Sequence, residues 1–437
     1  MHFVPTVREK DKAVIMAAVR RFGPLSRVGI HDLTKLRPAT ISLLVRDLLK
    51  QGKLQVAGRA DNPTGRKQIL LRVNEESGLV IGVDFDEEFV DVALMNLHPA
   101  IMASVREPIH LSGGVDGLIH QLFSCVHRLI QRPGVEKRRI RGIGVGVTGL
   151  INSREGSVIM SSTIEFWKQV PLKQLFEQEF GFPTVVENNC RTKAVAERIL
   201  GAGEMAEDMI YLEYGRGIGT GIIVRGKVLH GHRFSAGEFG HTHILEDGPA
   251  CKCGSFGCLE AIASIEALEA RIHKAVAEGG LSHCLKLAEG DPAKIDGWMV
   301  LKAGGLGDKL CRGLVDELGR HLGLGLANLV NLFNPSVIVL DYRLESAGQQ
   351  LLEQICRTIS IQALSYSSED LVVRFGKLCF KVGLLGAGLL VTEKIFEVPL
   401  LKPPRFMIDS AVHPLARPSF QSYDGESDVD DPTRAVT

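Results

Sequence analysis

The N-terminal part of the chain repeats apolar side chains at helical spacing. Residues 8–22 carry such a face, and Gly23-Pro24 ends it. Ser26 stands where it can cap a short second helix that runs to about Thr34. These signals predict two helices separated by a tight turn.

A third helix is predicted over residues 38–50, with Pro38 in its first turn and Gly52 just beyond its end. Its apolar stripe has the i, i+3, i+4, i+7 spacing of a buried face and consists of Ile41, Leu44, Val45, Leu48 and Leu49. Residues 53–73 alternate around a turn at 62–65 and predict a hairpin. Three helices followed by a hairpin indicate a winged helix-turn-helix.

From Leu79 onward, apolar strands alternate with helical segments in two successive halves. This alternation predicts an α/β fold, and the repeat predicts a duplicated actin- or sugar-kinase-like (ribonuclease H-like) domain of two lobes with a ligand cleft between them. We therefore expect three regions: a winged helix-turn-helix at 1–76, the two-lobed domain at 77–398, and an acidic, disordered tail at 399–437.

The composition narrows the class of protein. The chain has 437 residues, 45% hydrophobic and 23% charged, as in a soluble protein of two or three domains. The N-terminus lacks an apolar run, and no stretch of about 18 apolar residues occurs, so we expect no membrane contact and a cytoplasmic location. Six of the nine cysteines are scattered, such as Cys125 and Cys190, and are expected to be buried thiols.

The net charge of zero hides an asymmetry. Residues 1–76 hold 15 Lys and Arg against 7 Asp and Glu, a net of +8, so the remainder carries −8. A basic winged helix predicts a double-stranded DNA operator as partner, whereas a helical adaptor with solvated charges is the alternative. The predicted DNA-contacting residues are Arg37, Pro38, Ala39, Thr40, Ser42, Leu43, Arg46, Arg59, Arg66 and Lys67.

Residues 240–260 read GHTHILEDGPACKCGSFGCLE and place three cysteines within eight positions. Cys251, Cys253 and Cys258 together with one histidine have the composition of a closed, structural Cys3His zinc site. His241 and His243 are both candidates for the fourth ligand.

Several motifs together resemble the ROK family of repressors, open reading frames and kinases over roughly residues 8–398. They are GEFGH at 237–241, CKCGSFGCLE at 251–260, VEN at 186–188, GRGIGTGIIVRGKV at 215–228 and NLFNPSVIVL at 331–340. The resemblance implies that His241 is the fourth zinc ligand. It also implies that a monosaccharide binds to Asn188, Asn189, Glu238, His241 and Glu260.

The N-terminal winged helix makes the chain similar to the regulator branch of that family, such as repressors of xylose, glucose or N-acetylglucosamine genes. Regulators of this kind are expected to act as homodimers or dimers of dimers. Two positions depart from the pattern, because Lys35 stands where the turn prefers glycine and Arg37 where the recognition helix prefers a serine cap.

Three departures argue against the family's kinase branch. The phosphate turn Asp-x-Gly-Gly-Thr reads DFDEE at 84–88, which puts side chains and negative charge where phosphates would bind. Asn189 replaces the aspartate that would act as general base, and Asp341-Tyr342 replaces a Gly-Gly pair. Only the glycine-rich segment 217–221 is intact.

We therefore expect no catalytic residue and a sugar-responsive regulator of carbohydrate genes. The alternatives are an ATP-dependent sugar kinase and a regulator controlled by a protein partner instead of a sugar.

Overall fold

The computed structural model describes residues 6–62, 65–161 and 163–397, and the side chains of residues 61–66 fall outside this part. The described chain divides into two compact units, one of residues up to Ser77 and the other of Gly78–Ile395. Phe396 groups with the first unit, where the Arg20 guanidinium lies 4.6 Å from the centre of its ring. The tail expected at 399–437 lies outside the described residues.

The first unit contains three helices followed by a hairpin: α1 (Val7–Phe22), α2 (Arg27–Thr34), α3 (Pro38–Lys50), β1 (Leu54–Asn62) and β2 (Gly65–Val73). Each helix start has a local cause. Thr6 and Glu9 form a capping box at α1, the Ser26 side chain accepts a hydrogen bond from the Gly29 amide at α2, and Pro38 occupies the first turn of α3.

The apolar stripe of α3 faces the core of this unit. Ile41, Leu44, Val45 and Leu48 are all buried. Leu25 adds a feature that periodicity did not predict, since it exchanges two backbone hydrogen bonds with Leu71 of β2. These bonds join the β1–β2 hairpin, which is the predicted wing, to the turn before α2.

Lys35 ends α2 in the left-handed conformation, with φ of 57°. A residue without a β-carbon adopts this conformation at lower cost. The left-handed backbone conformation therefore explains why glycine is preferred at this position of the helix-turn-helix. Lys35 adopts the same conformation here.

The second unit begins with one lobe of the two-lobed domain. Its elements are β3 (Leu79–Phe85), β4 (Phe89–Asn96), β5 (Ile101–Pro108), α4 (Gly114–Ile130), β6 (Ile140–Val147), β7 (Leu150–Asn152), β8 (Ser157–Met160), β9 (Lys168–Val170), α5 (Leu172–Phe180), β10 (Thr184–Asn188) and α6 (Asn189–Leu200).

The other lobe follows directly in the chain. Its elements are β11 (Met209–Tyr214), β12 (Ile218–Val224), β13 (Lys227–Val228), α7 (Leu259–Ala263), α8 (Ile265–Ala277), α9 (Cys284–Leu287), α10 (Gly297–Gly305), α11 (Lys309–Phe333), β14 (Val337–Leu340), α12 (Gln349–Gln362), α13 (Ser365–Ser368), β15 (Val372–Phe375) and α14 (Val382–Ile395).

The two lobes share one sheet topology, which confirms the predicted duplication. The first sheet has the order β10-β6-β3-β4-β5 and the second the order β13-β12-β11-β14-β15. In each sheet an antiparallel meander is extended by two parallel strands on the side of its first strand. Among the described residues, no helix is both long and apolar enough to cross a membrane.

Helices α6 and α14 pack against each other and connect the lobes. Helix α14 lies on β3 and β6, whereas α6 lies on β11 and β12. Glycines in the strands allow α14 to approach closely, because a β-carbon at Gly144 would lie 1.8 Å from the Ala387 carbonyl oxygen. A β-carbon at Gly82 would lie 2.6 Å from the Leu384 carbonyl oxygen.

Gly144→Ala is expected to destabilise the second unit by about 3 kcal/mol or more, because the Ala387 carbonyl group of α14 leaves no room for a methyl group. The unfolding midpoint in urea measures this loss. Gly313→Ala is the matched control: Gly313 lies within α11 with no atom within 4 Å of the added β-carbon, so a gain of about 0.5–1 kcal/mol is expected. Equal midpoints for the two variants would contradict the packing argument.

Candidate nucleic-acid interface, metal centre and effector cleft

Nine of the ten predicted DNA-contacting residues have described side chains, and all nine are exposed or half-buried at the surface of the first unit. Residues that are exposed on or directly before α3 are Arg37, Pro38, Ala39, Ser42, Leu43 and Arg46, and Thr40 is half-buried. Arg59 on β1 and Lys67 on β2 are also exposed, whereas the side chain of Arg66 lies outside the described part. Arg37 precedes α3 and makes no capping hydrogen bond with its side chain.

A groove between α3 and β2 contains two cations that sequence reasoning missed. Arg27 and Lys50 line it together with Arg46 and Lys67. Arg27 is the first residue of α2 and Lys50 is the last residue of α3. The spacing of apolar residues does not predict which way a side chain at the end of a helix points, so the sequence did not place these two cations in the groove. Four cations along one groove suit a phosphate backbone.

The four residues of the predicted metal site come together in the loop before α7. The ligand atoms of His241, Cys251, Cys253 and Cys258 all lie within 4.8 Å of one another. The Cys253 and Cys258 sulfurs are 3.7 Å apart, and the Cys251 sulfur is 3.6 Å from His241 Nδ1. This cluster can hold a metal ion.

These separations fit a tetrahedral zinc site. With Zn–S of about 2.3 Å and Zn–N of about 2.0 Å, tetrahedral angles give sulfur–sulfur edges of about 3.8 Å and sulfur–nitrogen edges of about 3.5 Å. His243 is engaged elsewhere, since its Nδ1 lies 2.9 Å from the Phe256 carbonyl oxygen. Of the two candidate histidines, the loop therefore brings His241 to the cysteines.

Tight backbone turns build this loop. The Cys251 amide donates to the Ser255 carbonyl at 2.7 Å, and the Gly254 amide donates to the Cys251 carbonyl at 3.0 Å. Gly257 has φ of 63° and lies so close to Leu245 that a β-carbon would meet the Leu245 carbonyl oxygen at 1.8 Å. Glycine at this position is thus required by both conformation and space.

The predicted sugar-binding carboxylates lie at the two ends of the same loop. Glu260 is half-buried, and its Oε2 accepts a hydrogen bond from the Ile218 amide at 3.0 Å. Glu238 is exposed to solvent on one side. Partial desolvation raises the pKa of Glu238; the charge of Glu260 adds to that rise, and His241 and Arg191 oppose it. The two carboxylates and His241 therefore share one electrostatic environment.

The predicted amides lie at the start of α6 and are partly occupied. Asn188 accepts a hydrogen bond from the Arg191 amide at 3.3 Å and donates from Nδ2 to the Gly149 carbonyl at 3.0 Å. Asn189 is buried and its Oδ1 accepts from the Cys190 amide at 3.0 Å. An amide side chain offers two donors and two acceptor sites, so Asn188 retains one of each.

Sequence reasoning missed a buried ion network behind these residues. Glu187 accepts hydrogen bonds from Ser153 at 2.8 Å, from Arg191 at 3.1 Å and, through its other oxygen, from His230 at 2.7 Å. Burial alone would raise the pKa of Glu187, but the hydrogen bond from His230 and the charge of Arg191 outweigh it and lower that pKa.

Arg191 extends this network to the segment before Glu238. Its Nη2 donates to the Phe234 carbonyl at 2.6 Å and to the Ala236 carbonyl at 3.0 Å. Only 2% of the Arg191 side chain is exposed, so the bonds of Nη1 and Nη2 compensate for the loss of water, whereas the buried Nε has no partner among the described residues.

The turn at 84–88 pairs its backbone amides with its own side chain. Asp86 Oδ1 accepts the amides of Glu88 and Phe89, at 2.8 and 2.9 Å. Burial raises the pKa of Asp84 to about 7, and its Oδ1 has no hydrogen-bond partner among the described residues. The turn thus contains acidic side chains, and its amides at Glu88 and Phe89 already donate to Asp86.

A second ion network follows strand β14. Asp341 is 1% exposed and accepts hydrogen bonds from the Arg343 guanidinium at 2.8 and 3.0 Å. Arg343 also bonds to Glu213 at 3.1 Å and lies 4.9 Å from the centre of the Trp298 ring. Lys193 of α6 bonds to Glu213 at 2.6 Å. Charged side chains fill the position where the family's kinase pattern has Gly-Gly.

Comparison with known proteins identifies the family to which the chain is similar. The ROK family profile matches residues 80–394. The xylose repressor of Caldicellulosiruptor bescii is 28% identical over 393 residues, covering 90% of this chain and 98% of that protein. The DNA-binding transcriptional dual regulator NagC of Escherichia coli is 28% identical over 401 residues, covering 91% of this chain and 96% of that protein.

Two solved structures show the same architecture. A ROK family transcriptional regulator, described as a homolog of the E. coli MLC protein, superposes with a TM-score of 0.78 at 24% identity over 89% of this chain and 97% of its own, a likeness of fold. A ROK family glucokinase from Streptomyces griseus superposes with a TM-score of 0.63 at 29% identity over 72% of this chain and 99% of its own. Because the profile matches most of its length, this chain belongs to the ROK family.

Proposed function

We propose that this protein is a DNA-binding transcriptional regulator of carbohydrate genes, a repressor whose operator affinity responds to a monosaccharide. The observation that carries the proposal is the coverage of its relatives. Proteins named as repressors match about nine tenths of the chain, which includes the basic first unit, whereas the glucokinase match covers 72%. The winged helix with its exposed α3 supports the same function.

The second unit senses the sugar without phosphorylating it. Asp86 occupies amides of the phosphate turn, Asn189 has no carboxylate to accept a proton, and the half-buried Arg343 is paired with Asp341. Each feature removes a different requirement of phosphoryl transfer, which depends on positioned phosphate contacts and a base near the attacking hydroxyl.

The cluster of His241, Cys251, Cys253 and Cys258 binds one structural zinc ion. Four protein ligands close the coordination sphere, so the ion stabilises the loop and takes no part in a reaction. Coordination through Nδ1 leaves Nε2 of His241 available for a sugar hydroxyl. The effector cleft then consists of Asn188, Asn189, Glu238, His241 and Glu260.

Regulators that read operators through a winged helix pair their recognition helices by two-fold symmetry. We propose a homodimer or a dimer of dimers for this reason. A protein partner in place of the sugar is the second candidate, and the carboxylates at both ends of the loop favour a polyol because each accepts two hydroxyl groups.

Metal analysis of the purified protein is expected to give about one zinc ion per chain. Cys258→Ser and His241→Ala should both release it and lower the melting temperature, because the loop has little apolar core of its own. His243→Ala is the control and should retain the metal. Retention in His241→Ala together with loss in His243→Ala would reassign the fourth ligand.

Arg46→Ala is expected to weaken binding to an operator by about 1–3 kcal/mol if Arg46 contacts a base. The operator is a duplex that the wild-type protein selects from a random-sequence pool, and fluorescence anisotropy measures the affinity. Arg59→Ala should weaken all duplexes alike and reduce the salt dependence by about one ion.

Arg132→Ala is the matched control for these changes, since it removes an equal charge from an exposed position of the second unit. It should leave operator affinity unchanged. An Arg46→Ala variant that binds the selected duplex as tightly as the control would refute the assignment of α3 as the recognition helix.

Glu238→Gln is expected to abolish the rise in melting temperature that a monosaccharide causes in the wild-type protein, because the amide loses one strong acceptor pair for hydroxyl groups. The panel includes xylose, glucose and N-acetylglucosamine, with zinc present. Glu246→Gln, an exposed position of the same loop, is the control and should keep the response.

Binding of operator DNA in the absence of sugar should be equal in both variants. The same sugar panel with ATP provides a second check. ATP consumption at about 1–100 turnovers per second, the range of kinases, would overturn the proposal that phosphoryl transfer is lost.

A further inference from the structure

Two cysteines outside the metal loop lie in contact in the core of the second lobe. The sulfurs of Cys284 and Cys311 are 3.2 Å apart, and both side chains are 0% exposed. Cys284 begins the short helix α9, and Cys311 lies in the first turn of α11. A disulfide needs a sulfur–sulfur distance of about 2.0 Å, so the sulfurs would approach by about 1.2 Å.

Polar groups hold the two segments in this arrangement. Asp308 accepts the Cys311 amide at 2.8 Å and the His283 amide at 2.7 Å, one with each carboxylate oxygen. Ser282 Oγ accepts the Cys284 amide at 3.1 Å and lies 3.3 Å from the Cys311 sulfur. The hydrogen bonds of Asp308 and Ser282 therefore hold both cysteine segments in the position that brings the two sulfurs into contact.

The two cysteines differ in how easily they reach solvent. Helix α9 has four residues, and the preceding Leu281 is 89% exposed, whereas α11 has 25 residues and is anchored in the core. Helices as short as α9 have little stability of their own, and such segments open locally at low free-energy cost. Opening of α9 brings Cys284 to water while Cys311 stays in place.

The thiols also differ in acidity. The hydrogen bond from Cys311 lowers the pKa of Cys284. The same bond and burial raise the pKa of Cys311 far above its ordinary value. Because the thiolate is the nucleophile, Cys284 is the attacking group and Cys311 the resolving group.

We propose that Cys284 and Cys311 form a reversible disulfide in response to a peroxide. The Cys284 thiolate attacks one peroxide oxygen, so that an S–O bond forms, the O–O bond breaks and one water leaves after protonation. The Cys311 thiol then attacks the sulfenic sulfur, an S–S bond replaces the S–O bond, and the second water leaves. Two thiols are oxidised by two electrons in total, and one peroxide is reduced to two waters.

The disulfide would join α9 to the N-terminal end of α11 and close a loop that contains α10. Helix α11 also packs against the loop that carries Glu238 and Glu260, because Gly325 lies against Phe239, the neighbour of Glu238. The site thus lies in the lobe that carries the proposed sugar carboxylates, and it does not depend on their function.

The test uses the full-length, zinc-loaded protein treated with hydrogen peroxide, followed by alkylation, digestion and mass spectrometry without reduction. A linked peptide pair containing Cys284 and Cys311 is expected, with a rise in melting temperature of about 5 °C that a dithiol reductant reverses. Cys125→Ser, at another buried cysteine, is the control and should form the same link. Cys284→Ser and Cys311→Ser should not form it.

Pulsed alkylation of the untreated native protein tests the order of reaction. Cys284 should be modified at least 10-fold faster than Cys311, because α9 opens before α11 does. Equal rates would overturn the assigned roles. Recovery of both cysteines as alkylated, unlinked peptides after peroxide treatment would overturn the proposal itself, and this result is read from wild-type protein without any variant.

Discussion

The second unit depends on the burial of charged side chains along α6. Arg191 and Lys193 are both buried, and buried charges are stable only when opposite charges or carbonyl oxygens meet them. Each partner belongs to a different segment: Glu187 to β10, the Phe234 and Ala236 carbonyls to the segment before Glu238, and Glu213 to β11. Helix α6 therefore fixes the positions of elements from both lobes.

The same network determines which charges of the second unit are already paired within the chain. Lys193 of α6 and Arg343 are paired with carboxylates of the chain itself, Glu213 and Asp341. Asn188 and Asn189, two of the proposed sugar-binding residues, lie at the start of the same helix. Under the proposed function, a sugar bound beside this helix shifts the conformational equilibrium of the domain without turnover.

The sequence was most informative where one local pattern determines the structure. The apolar stripe of α3, the Ser26 cap and the closely spaced cysteines all act over a few residues, and the structure has them as predicted except that Leu49 of the stripe is only half-buried. The duplicated topology was also predictable, because strand and helix periods repeat in order.

The remaining features arise from contacts between distant parts of the chain. Lys193, Glu213 and Arg343 are unremarkable in sequence, and only the fold brings them within hydrogen-bond distance. The pairing of Leu25 with Leu71 and the contact of Cys284 with Cys311 likewise join segments whose local patterns are independent. The sugar residues are assigned by the family resemblance and the DNA-contacting residues by the helix pattern and the basic charge, and both assignments are proposals.

The most direct test of a sugar-responsive regulator is the operator affinity of the wild-type protein with and without each monosaccharide at saturation, at fixed salt and with zinc present. Coupling between two sites is typically about 1–3 kcal/mol, so one sugar of the panel should change the dissociation constant by about 5–150-fold. Identical binding curves for a sugar that demonstrably binds the second unit would contradict the account, since the two units would then be uncoupled.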